Sequence, residues 1–474
     1  MKRKEFVRLT GMLAAGALVS PEALMSQSHS ADFPIVRVPL NKRKFTSDAV
    51  EQTIKNFSQK VSNKELAWLF QNCFPNTLDT TVDFTMIGGK PDTYVITGDI
   101  DAMWLRDSTA QVWPYLSLIK EDKKLRQLVA GVINRQVKNI LLDPYANAFY
   151  KDPRKISEWK DDATDMKPGI HERKWEIDSL CYPVRLAYHY WTISGDTSVF
   201  DEQWKKAAEL TVKTFKQQQR KNSKGPYKFE RRTTWATDGV PLGGYGYPAK
   251  PVGLIHSMFR PSDDATIFPF LIPSNFFAVV SLQQLSQIAD SVYKDAAFSK
   301  ECAGLAIEVQ TALQEHAIVN HPKFGNVYAY EINGYGSYNI MDDANVPSLL
   351  ALPYLGAVSN TDPIYINTRK LLLSEYNPFF FKGKAGEGIG GPHAGTDLIW
   401  PLSVIIRALT SDDDEEIKSC VGILQKSHAG TGFMHETFHK DDVSKFTRSW
   451  FAWANTIFGE LLHKLVDSKP QLLT

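Results

Sequence analysis

The stretch Trp104-Leu105-Arg106-Asp107-Ser108 joins a loop to an apolar helical segment, with an acidic residue at the junction. Four looser copies of this junction follow along the chain, and a sixth helical segment surrounds Arg448-Ser449-Trp450-Phe451. Each interval between junctions can hold one helix out and one helix back. The repeat therefore predicts an all-α (α/α)6 toroid of six helical hairpins in a single domain, with the inner helices starting at one mouth. Looser copies of the junction are Trp175-Glu176-Ile177-Asp178-Ser179, Pro261-Ser262-Asp263-Asp264-Ala265, Ile340-Met341-Asp342-Asp343-Ala344 and Gly395-Thr396-Asp397-Leu398.

The recurring acidic residue has two interpretations. An Asp at a helix start is an ordinary N-cap, and for any single copy capping is the simpler explanation. Recurrence of the junction with large aromatic residues nearby favours a polar pocket lined by carboxylates. Helical spacing of apolar residues also predicts helices over residues 201–219, 276–293, 302–315 and 446–466, and alternation predicts a strand over 326–331.

The composition excludes several classes of protein. The chain has 474 residues, of which 43% are hydrophobic and 23% charged, so overall disorder is excluded. Its 54 basic and 53 acidic residues give a net charge of +1, which argues against nucleic-acid binding by phosphate neutralisation. Aromatic residues make up 12% of the chain and suit stacking on sugar rings. The four cysteines have no CxxC spacing, which argues against a zinc ribbon or a thioredoxin-like site.

The N-terminal residues 1–28 are predicted to be an export signal. Lys2, Arg3 and Lys4 precede a short apolar run over residues 9–20, which is too short to span a bilayer. No later segment has about 18 uninterrupted apolar residues. We therefore expect a catalytic domain over residues 29–474 with no membrane span, exported to the bacterial periplasm.

The segment from Gly98 to Ser108 concentrates polar and aromatic groups. Carboxylates and Arg form charge-assisted hydrogen bonds with sugar hydroxyls, and Trp covers the apolar face of a sugar ring. A buried ion pair of Arg106 with Asp101 or Asp107 is the structural alternative. Metal ligation by Asp99 and Asp101 lacks the glycine and distal Glu of a calcium loop. The candidate sugar-binding residues here are Asp99, Asp101, Trp104, Arg106 and Asp107.

A second concentration contains His435-Glu436-Thr437-Phe438-His439, whose letters match the HExxH zinc motif. Flanking residues Gly430, Gly432, Asp441 and Asp442 favour a loop over the long helix that this motif needs, and no third ligand stands out. A third concentration, around Asp263-Asp264, offers two adjacent carboxylates, one of which can face a pocket while the other caps a helix. We predict no metal and no cofactor.

These motifs resemble glycoside hydrolase family 125, the exo-acting α-1,6-mannosidases, over nearly the whole mature chain. The resemblance implies an (α/α)6 fold and an inverting, metal-independent mechanism. It also implies that the catalytic acid is an Asp of the pair Asp263 and Asp264, and that the base is Glu436. The matching pieces are residues 97–108, Trp175-Glu176-Ile177-Asp178-Ser179-Leu180, Phe259-Arg260-Pro261-Ser262-Asp263-Asp264, residues 341–349 and His435-Glu436.

The choice between the two aspartates follows from their register. Asp264 occupies the position that Asp107, Asp178 and Asp343 occupy in the other copies, where hydroxyl binding or capping is expected. Asp263 is therefore preferred as the acid, and burial beside a like charge is expected to raise its pKa. The predicted substrate-binding residues are Asp99, Asp101, Trp104, Arg106, Asp107, Asp178, Arg260, Asp343 and His435.

The predicted substrate is a mannose-containing oligosaccharide or N-glycan fragment, cleaved from its non-reducing end. Two other classes remain open. One is another (α/α)6 carbohydrate-active enzyme, such as a glucosidase, lyase or epimerase, and the other is a non-catalytic glycan-binding protein. Asp263, Asp264 and Glu436 argue against the second class.

Overall fold

Helices dominate residues 33–474, the part of the chain that a computed structural model of the protein describes. The predicted signal over residues 1–28 lies outside the described residues, and residues 36–474 form one compact unit. The α-helices are α1 (Asp48–Lys60), α2 (Lys64–Cys73), α3 (Asn76–Thr80), α4 (Leu105–Val112), α5 (Lys123–Leu142), α6 (Ile177–Ser194), α7 (Glu202–Gln218), α8 (Ile272–Ile288), α9 (Ala296–His316), α10 (Pro363–Leu372), α11 (Pro401–Leu409), α12 (Asp414–Ser427) and α13 (Ala452–Ser468).

The helices form two concentric rings, as the repeat predicts. The inner ring contains α4, α6, α8, α11 and α13, and it closes where α13 packs against α4. The outer ring contains α1, α2, α5, α7, α9, α10 and α12, and α12 packs beside α2. From α4 to α13, inner and outer elements alternate along the chain. The (α/α)6 toroid is therefore confirmed.

One inner position departs from the expected hairpin. The junction at Asp343 is not followed by a helix, because residues 344–358 form a series of bends and turns. The Asp342 carboxylate accepts hydrogen bonds from the backbone N–H groups of Leu349 and Leu350 and holds these turns together. Tyr182 of α6 donates to the Val346 carbonyl and anchors the segment to the inner ring.

Small antiparallel sheets position the starts of the inner helices. Strands β3, β6 and β13 run directly into α4, α8 and α11, and each belongs to a three-stranded sheet. The predicted strand at residues 326–331 is split between β8 and β9. The strands are β1 (Val82–Ile87), β2 (Lys90–Val95), β3 (Met103–Trp104), β4 (Ala148–Phe149), β5 (Ile170–Glu172), β6 (Phe270–Leu271), β7 (Ile318–His321), β8 (Gly325–Tyr328), β9 (Glu331–Ile332), β10 (Tyr338–Asn339), β11 (Phe380–Lys382), β12 (Glu387–Ile389), β13 (Leu398–Ile399), β14 (Thr437–His439) and β15 (Asp442–Thr447).

The core lies between the two rings and is rich in aromatic residues. Trp175, Phe215 and Tyr227 are among its fully buried side chains. Across residues 33–474, each helix is too short or too polar to cross a membrane. The apolar side chains of the sequence are therefore buried between the two rings of the toroid, and their burial holds the rings together.

Candidate active site

A buried guanidinium at the start of α4 gathers four carboxyl groups. Arg106 Nη1 donates to Glu176 Oε2 at 2.5 Å and to Asp178 Oδ2 at 3.2 Å. Its Nη2 donates to Asp263 Oδ1 at 3.0 Å, and its Nε lies 3.5 Å from Asp107 Oδ2. The predicted structural pairing of Arg106 with Asp107 is thus present, but as one part of a larger cluster drawn from three junctions of the repeat.

One cation for four acidic groups makes protonation favourable. Burial and the charges of Asp263 and Asp178 raise the pKa of Glu176 well above its ordinary value, against the opposing charge of Arg106. Burial also raises the pKa of Asp107 and of Asp178 to about 6. These groups therefore retain protons at a pH at which isolated carboxyl groups have lost them.

Asp263 departs from the expectation of a raised pKa. Burial acts in that direction, but the charges of Arg106 and Lys174 outweigh it and hold the pKa of Asp263 well below its ordinary value. The expectation was wrong because the sequence does not reveal that a guanidinium and an ammonium lie beside this carboxylate. Within the cluster, the pKa of Glu176 is thus raised while that of Asp263 is lowered.

The two adjacent aspartates have different environments. The side chain of Asp263 is 24% exposed, and its backbone φ of 65° turns it away from the regular chain path. The side chain of Asp264 is 3% exposed, and its Oδ1 accepts a hydrogen bond from Thr237 Oγ1 at 2.8 Å and lies 3.3 Å from His393 Nδ1. Asp263 is therefore the accessible member of the pair.

The loop around Asp263 is braced from the opposite side. Asn147 Nδ2 donates to Asp263 Oδ1 at 3.3 Å and to Glu176 Oε1 at 3.4 Å. Lys174 Nζ donates to the backbone carbonyl of Asp263 at 2.9 Å and to Asp238 Oδ1 at 2.7 Å. These contacts fix the direction of the Asp263 carboxylate.

Glu436 lies on a second arm of the mouth, in the loop that leads into β14. Its side chain is 11% exposed, and Arg448 Nε lies 3.6 Å from Glu436 Oε1 and 3.6 Å from Asp99 Oδ2. Burial opposes the charged form of Arg448, but the charges of Glu436 and Asp99 outweigh burial and raise its pKa. The Trp450 ring packs on Gly98, where a Cβ would approach to 3.3 Å, and so joins this arm to the first motif.

The HExxH letters do not form a zinc site. Residues Thr437–His439 form strand β14, so His435 and His439 do not share a helix face. The His435 ring stacks on Phe446 with centroids 3.8 Å apart, and its Nδ1 lies 3.1 Å from the Arg448 carbonyl oxygen. Within residues 33–474, no three His, Cys, Asp or Glu side chains are grouped so that they could hold a metal ion.

Asp343 forms a third side of the site. Its Oδ2 accepts a hydrogen bond from Ser262 Oγ at 3.0 Å, which links it to the Asp263–Asp264 turn. A Cβ at Gly391 would lie 3.1 Å from this carboxylate, so the glycine-rich loop contacts it closely. Beside it, Arg260 Nε donates to Glu331 Oε1 at 2.7 Å.

Comparison with known proteins gives this arrangement a family. A family model described as metal-independent α-mannosidase (GH125) matches residues 63–463. The chain belongs to glycoside hydrolase family 125. It is accordingly a glycoside hydrolase of the α-mannosidase class, which confirms the resemblance drawn from its motifs.

Two relatives of this α-mannosidase support the assignment. The meiotically up-regulated gene 157 protein of Schizosaccharomyces pombe is 43% identical over 458 residues, covering 93% of this chain and 90% of the relative. A metal-independent α-mannosidase of Streptococcus pneumoniae, solved as a non-productive complex with α-1,6-mannobiose, superposes with a TM-score of 0.86. It is 40% identical, and the match covers 90% of this chain and 99% of the other.

Two predicted sugar-binding residues of the α-mannosidase lie apart from the carboxylate cluster. Asp101 is 76% exposed, and its Oδ2 lies 3.3 Å from Lys155 Nζ. Trp104 is buried with its ring edge-on to His171 and is thus covered by protein. Asp101 lies in a bend before β3, whereas Trp104 ends that buried strand, a difference that the sequence motif alone does not reveal.

Several site residues of the α-mannosidase escaped the sequence interpretation. Glu176 stands two residues before Asp178 in a quoted motif, so its acidic character was visible. Asn147 and Lys174 belong to no repeat, and Arg448 stands in the sixth segment without having been singled out. Their roles arise from contacts between distant parts of the chain.

Polar atoms without protein partners mark the Asp343 side of the α-mannosidase site. In the described part of the chain, Arg260 Nη2, the Tyr330 hydroxyl and Trp400 Nε1 are buried and make no hydrogen bond. The Trp400 ring lies 6.2 Å from that of His393, which in turn contacts Asp264. Buried donors of this kind need partners, and sugar hydroxyls are suitable ones.

Proposed function

We propose that this α-mannosidase removes mannose from the non-reducing end of α-1,6-linked mannose-containing oligosaccharides or N-glycan fragments, with inversion and without a metal. The observation that carries the proposal is that Asp263 and Glu436, whose side chains are 24% and 11% exposed, come from distant segments and both interact with Arg448. Arg448 joins the arms electrostatically, since its charge interacts with both carboxylates. The α-1,6-mannobiose bound by the Streptococcus relative supports the linkage.

Asp263 is the proposed general acid. An inverting glycosidase needs a carboxylic acid that protonates the leaving oxygen and a carboxylate that activates water, about 6.5–9.5 Å apart. Asp263 is exposed to the mouth, whereas Asp264 is buried against Thr237 and His393. Asp264 is therefore assigned to binding and support of the turn.

Glu436 is the proposed general base. Its contact with Arg448 favours the ionised carboxylate, which is the form that can accept a proton from water. The remaining carboxylates are assigned to hydroxyl binding: Asp99, Asp107, Asp178 and Asp343. Their charge-assisted hydrogen bonds would hold a single mannose ring, which is the terminal sugar at the non-reducing end of the glycan.

The test is a product assay on α-1,6-, α-1,3- and α-1,2-mannobiose, followed by proton NMR of the newly released anomer. We expect cleavage of the α-1,6 isomer with β-mannose as the first product. Preferred cleavage of another isomer would refute the linkage, and α-mannose as the first product would refute inversion. An unsaturated product absorbing in the ultraviolet would indicate a lyase.

Metal independence is tested in the same assay. Activity should survive dialysis against a chelator, because the proposed chemistry uses only carboxyl groups. Loss of activity that zinc or calcium restores would contradict the proposal and return attention to His435 and His439.

Export is the remaining part of the proposal. Its support is the basic and apolar pattern of residues 1–28. The curated relative comes from a yeast, so the comparisons lend no support to the bacterial periplasm that the sequence suggested. Cell fractionation with N-terminal sequencing of the mature protein tests it, and an intact Met1 in the cytosolic fraction would contradict export.

A further inference from the structure

Glu176 and Asp263 share their environment to an unusual degree. Both carboxyl groups accept hydrogen bonds from one guanidinium, through Arg106 Nη1 at 2.5 Å and Nη2 at 3.0 Å. The amide of Asn147 also donates to both, at 3.4 Å and 3.3 Å. The surrounding donors therefore support a negative charge on either carboxyl group.

The two side chains are also close enough for the charge of each to act on the pKa of the other. Two carboxyl groups held by the same donors repel each other when both are ionised, so one shared proton stabilises the pair. Burial raises the pKa of Glu176, whereas Arg106 and Lys174 hold that of Asp263 low. The shared proton is therefore assigned to Glu176, whose side chain is fully buried, rather than to Asp263, which is partly exposed.

The carboxyl group that is assigned the proton is not the one that is exposed to substrate. The Glu176 side chain is fully buried, while that of Asp263 is partly exposed at the mouth. The group that can reach a leaving oxygen is thus not the group that holds the proton. Catalysis by Asp263 requires a route between them.

We propose that Glu176 is a positioning residue that holds the proton which Asp263 delivers to the leaving oxygen. The inference rests on the proposed function. The Glu176 carboxylic acid gives its proton to the Asp263 carboxylate, and the resulting anion keeps its contact with Arg106. Asp263 then protonates the glycosidic oxygen as the C1–O bond breaks. Glu436 removes a proton from the attacking water, and exchange with solvent restores both groups.

The charged groups around this pair come from every neighbouring element. On α4 they are Arg106 and Asp107, and on α6 Asp178. The segment preceding α6 contributes His171, Glu172 and Lys174, and the mouth loops contribute His393 and Arg448. Passing the proton from Glu176 to Asp263 leaves the net charge of the whole group unchanged, and Arg106 contacts the carboxyl group that is ionised before the transfer and the one that is ionised after it.

The test is Glu176→Gln, which keeps the shape of the side chain but has no acidic proton. On α-1,6-mannobiose we expect kcat to fall about 10²-fold or more, with less change in KM. On an aryl α-mannoside, whose phenolate leaves without protonation, the loss should stay below about 10-fold. Asp178→Asn is the matched control, because it contacts the same guanidinium and should affect both substrates alike.

The pH profile provides a second readout. The alkaline limb of kcat/KM on α-1,6-mannobiose should move to lower pH by about one unit or more in Glu176→Gln, because Asp263 then titrates without its proton-holding partner. Equal losses on both substrates, an unmoved limb or full activity would overturn the inference.

The wild-type enzyme keeps the inference testable if the variant does not fold. In the wild type, kcat/KM should fall steeply at alkaline pH on α-1,6-mannobiose and only slightly on the aryl mannoside. The same fall on both substrates would overturn the inference. If the wild type cleaves neither substrate, the proposed function itself fails. If Glu176→Gln loses activity equally on both substrates while Asp263→Asn loses it mainly on α-1,6-mannobiose, the role of Glu176 alone is refuted.

Discussion

The outer and inner helices of the toroid begin in different ways. Outer helices have side-chain caps that accept hydrogen bonds from their first backbone N–H groups: Ser47, Asn63, Asp122, Asp201, Asp295, Asp362 and Asp413. The five inner helices are preceded by residues that make no such bond: Trp104, Glu176, Leu271, Trp400 and Phe451. The outer residues have the chemistry of good N-caps, and most of the inner ones do not.

The difference separates stability from function. At the outer ring, a short polar side chain accepts hydrogen bonds from the first backbone N–H groups of a helix, and no residue of the site is needed for this. At the inner ring, the acidic residues Asp107 and Asp178 stand inside the first turn, where the helix dipole favours negative charge. Their side chains are therefore free to face the site, and substitutions at the two rings should have opposite consequences.

The largest effect is expected at the mouth. Glu436→Gln should reduce turnover of α-1,6-mannobiose about 10²–10⁴-fold, because an amide cannot take a proton from water. The thermal unfolding midpoint should change little, since the amide has the same shape. Steady-state kinetics and calorimetry on one preparation check both statements. Near wild-type turnover would remove Glu436 from the proposed mechanism.

The two adjacent aspartates sharpen the comparison within the mouth. Asp263→Asn should slow cleavage of α-1,6-mannobiose about 10²-fold or more and cleavage of an aryl mannoside much less. Asp264→Asn should weaken both substrates alike, because its carboxylate supports the turn through Thr237 and His393. The reverse pattern, measured as kcat/KM for each substrate, would make Asp264 the acid.

The ionised carboxylate of Asp107, an acidic residue of the inner ring, should lower the free energy of unfolding at neutral pH. The pKa of Asp107 is about 6 in the folded protein, above its ordinary value of 3.8, so the folded state binds this proton more tightly than the unfolded state. Stability is therefore lost as the pH rises from about 4 to about 6. Asp107→Asn mimics the protonated form and should stabilise the protein at pH 7 by up to about 3 kcal/mol.

Denaturant unfolding at pH 7 and pH 4 checks this expectation. The stabilising effect should shrink towards pH 4, where wild-type Asp107 is already protonated. A variant that is destabilised equally at both values would show that Asp107 has a structural role instead.

The smallest effect is expected at the outer ring. Asp122 caps α5 by accepting a hydrogen bond from the Leu125 N–H at 2.9 Å, and it also accepts one from Ser47 Oγ. Asp122→Ala should lower the free energy of unfolding by about 1 kcal/mol and leave kcat unchanged. Asp122→Asn, which keeps the cap acceptor, is the control and should lose less. A clear change in kcat would mean that the two rings are not separable.

The junction repeat was sufficient to predict the toroid but not every inner element. Asp107 and Asp178 do begin inner helices, whereas the Asp343 junction leads into turns held by Asp342. The spacing of apolar residues indicates which side of a segment is buried. A helix and a series of turns can both have a buried side, so the spacing alone does not distinguish them.

The candidate site was only partly visible in the sequence. The motifs marked Arg106, Asp178 and Asp263 as polar residues near helix starts, and the structure joins all three through one guanidinium. The same motif marked Asp101, which is exposed beside Lys155. Local composition identifies polar clusters, but it does not give the direction of each side chain.

The sequence by itself determined the class of this protein: its junctions predicted an (α/α)6 toroid, and the resemblance of its motifs to glycoside hydrolase family 125 identified an α-mannosidase. The tertiary structure decided in which direction the pKa of each carboxyl group is shifted. Glu176 and Asp263 are far apart in the chain and meet only when α4, α6 and the turn before α8 converge on Arg106. Periodicity is a property of neighbouring residues, whereas a pKa depends on charge and burial, which distant residues supply on folding.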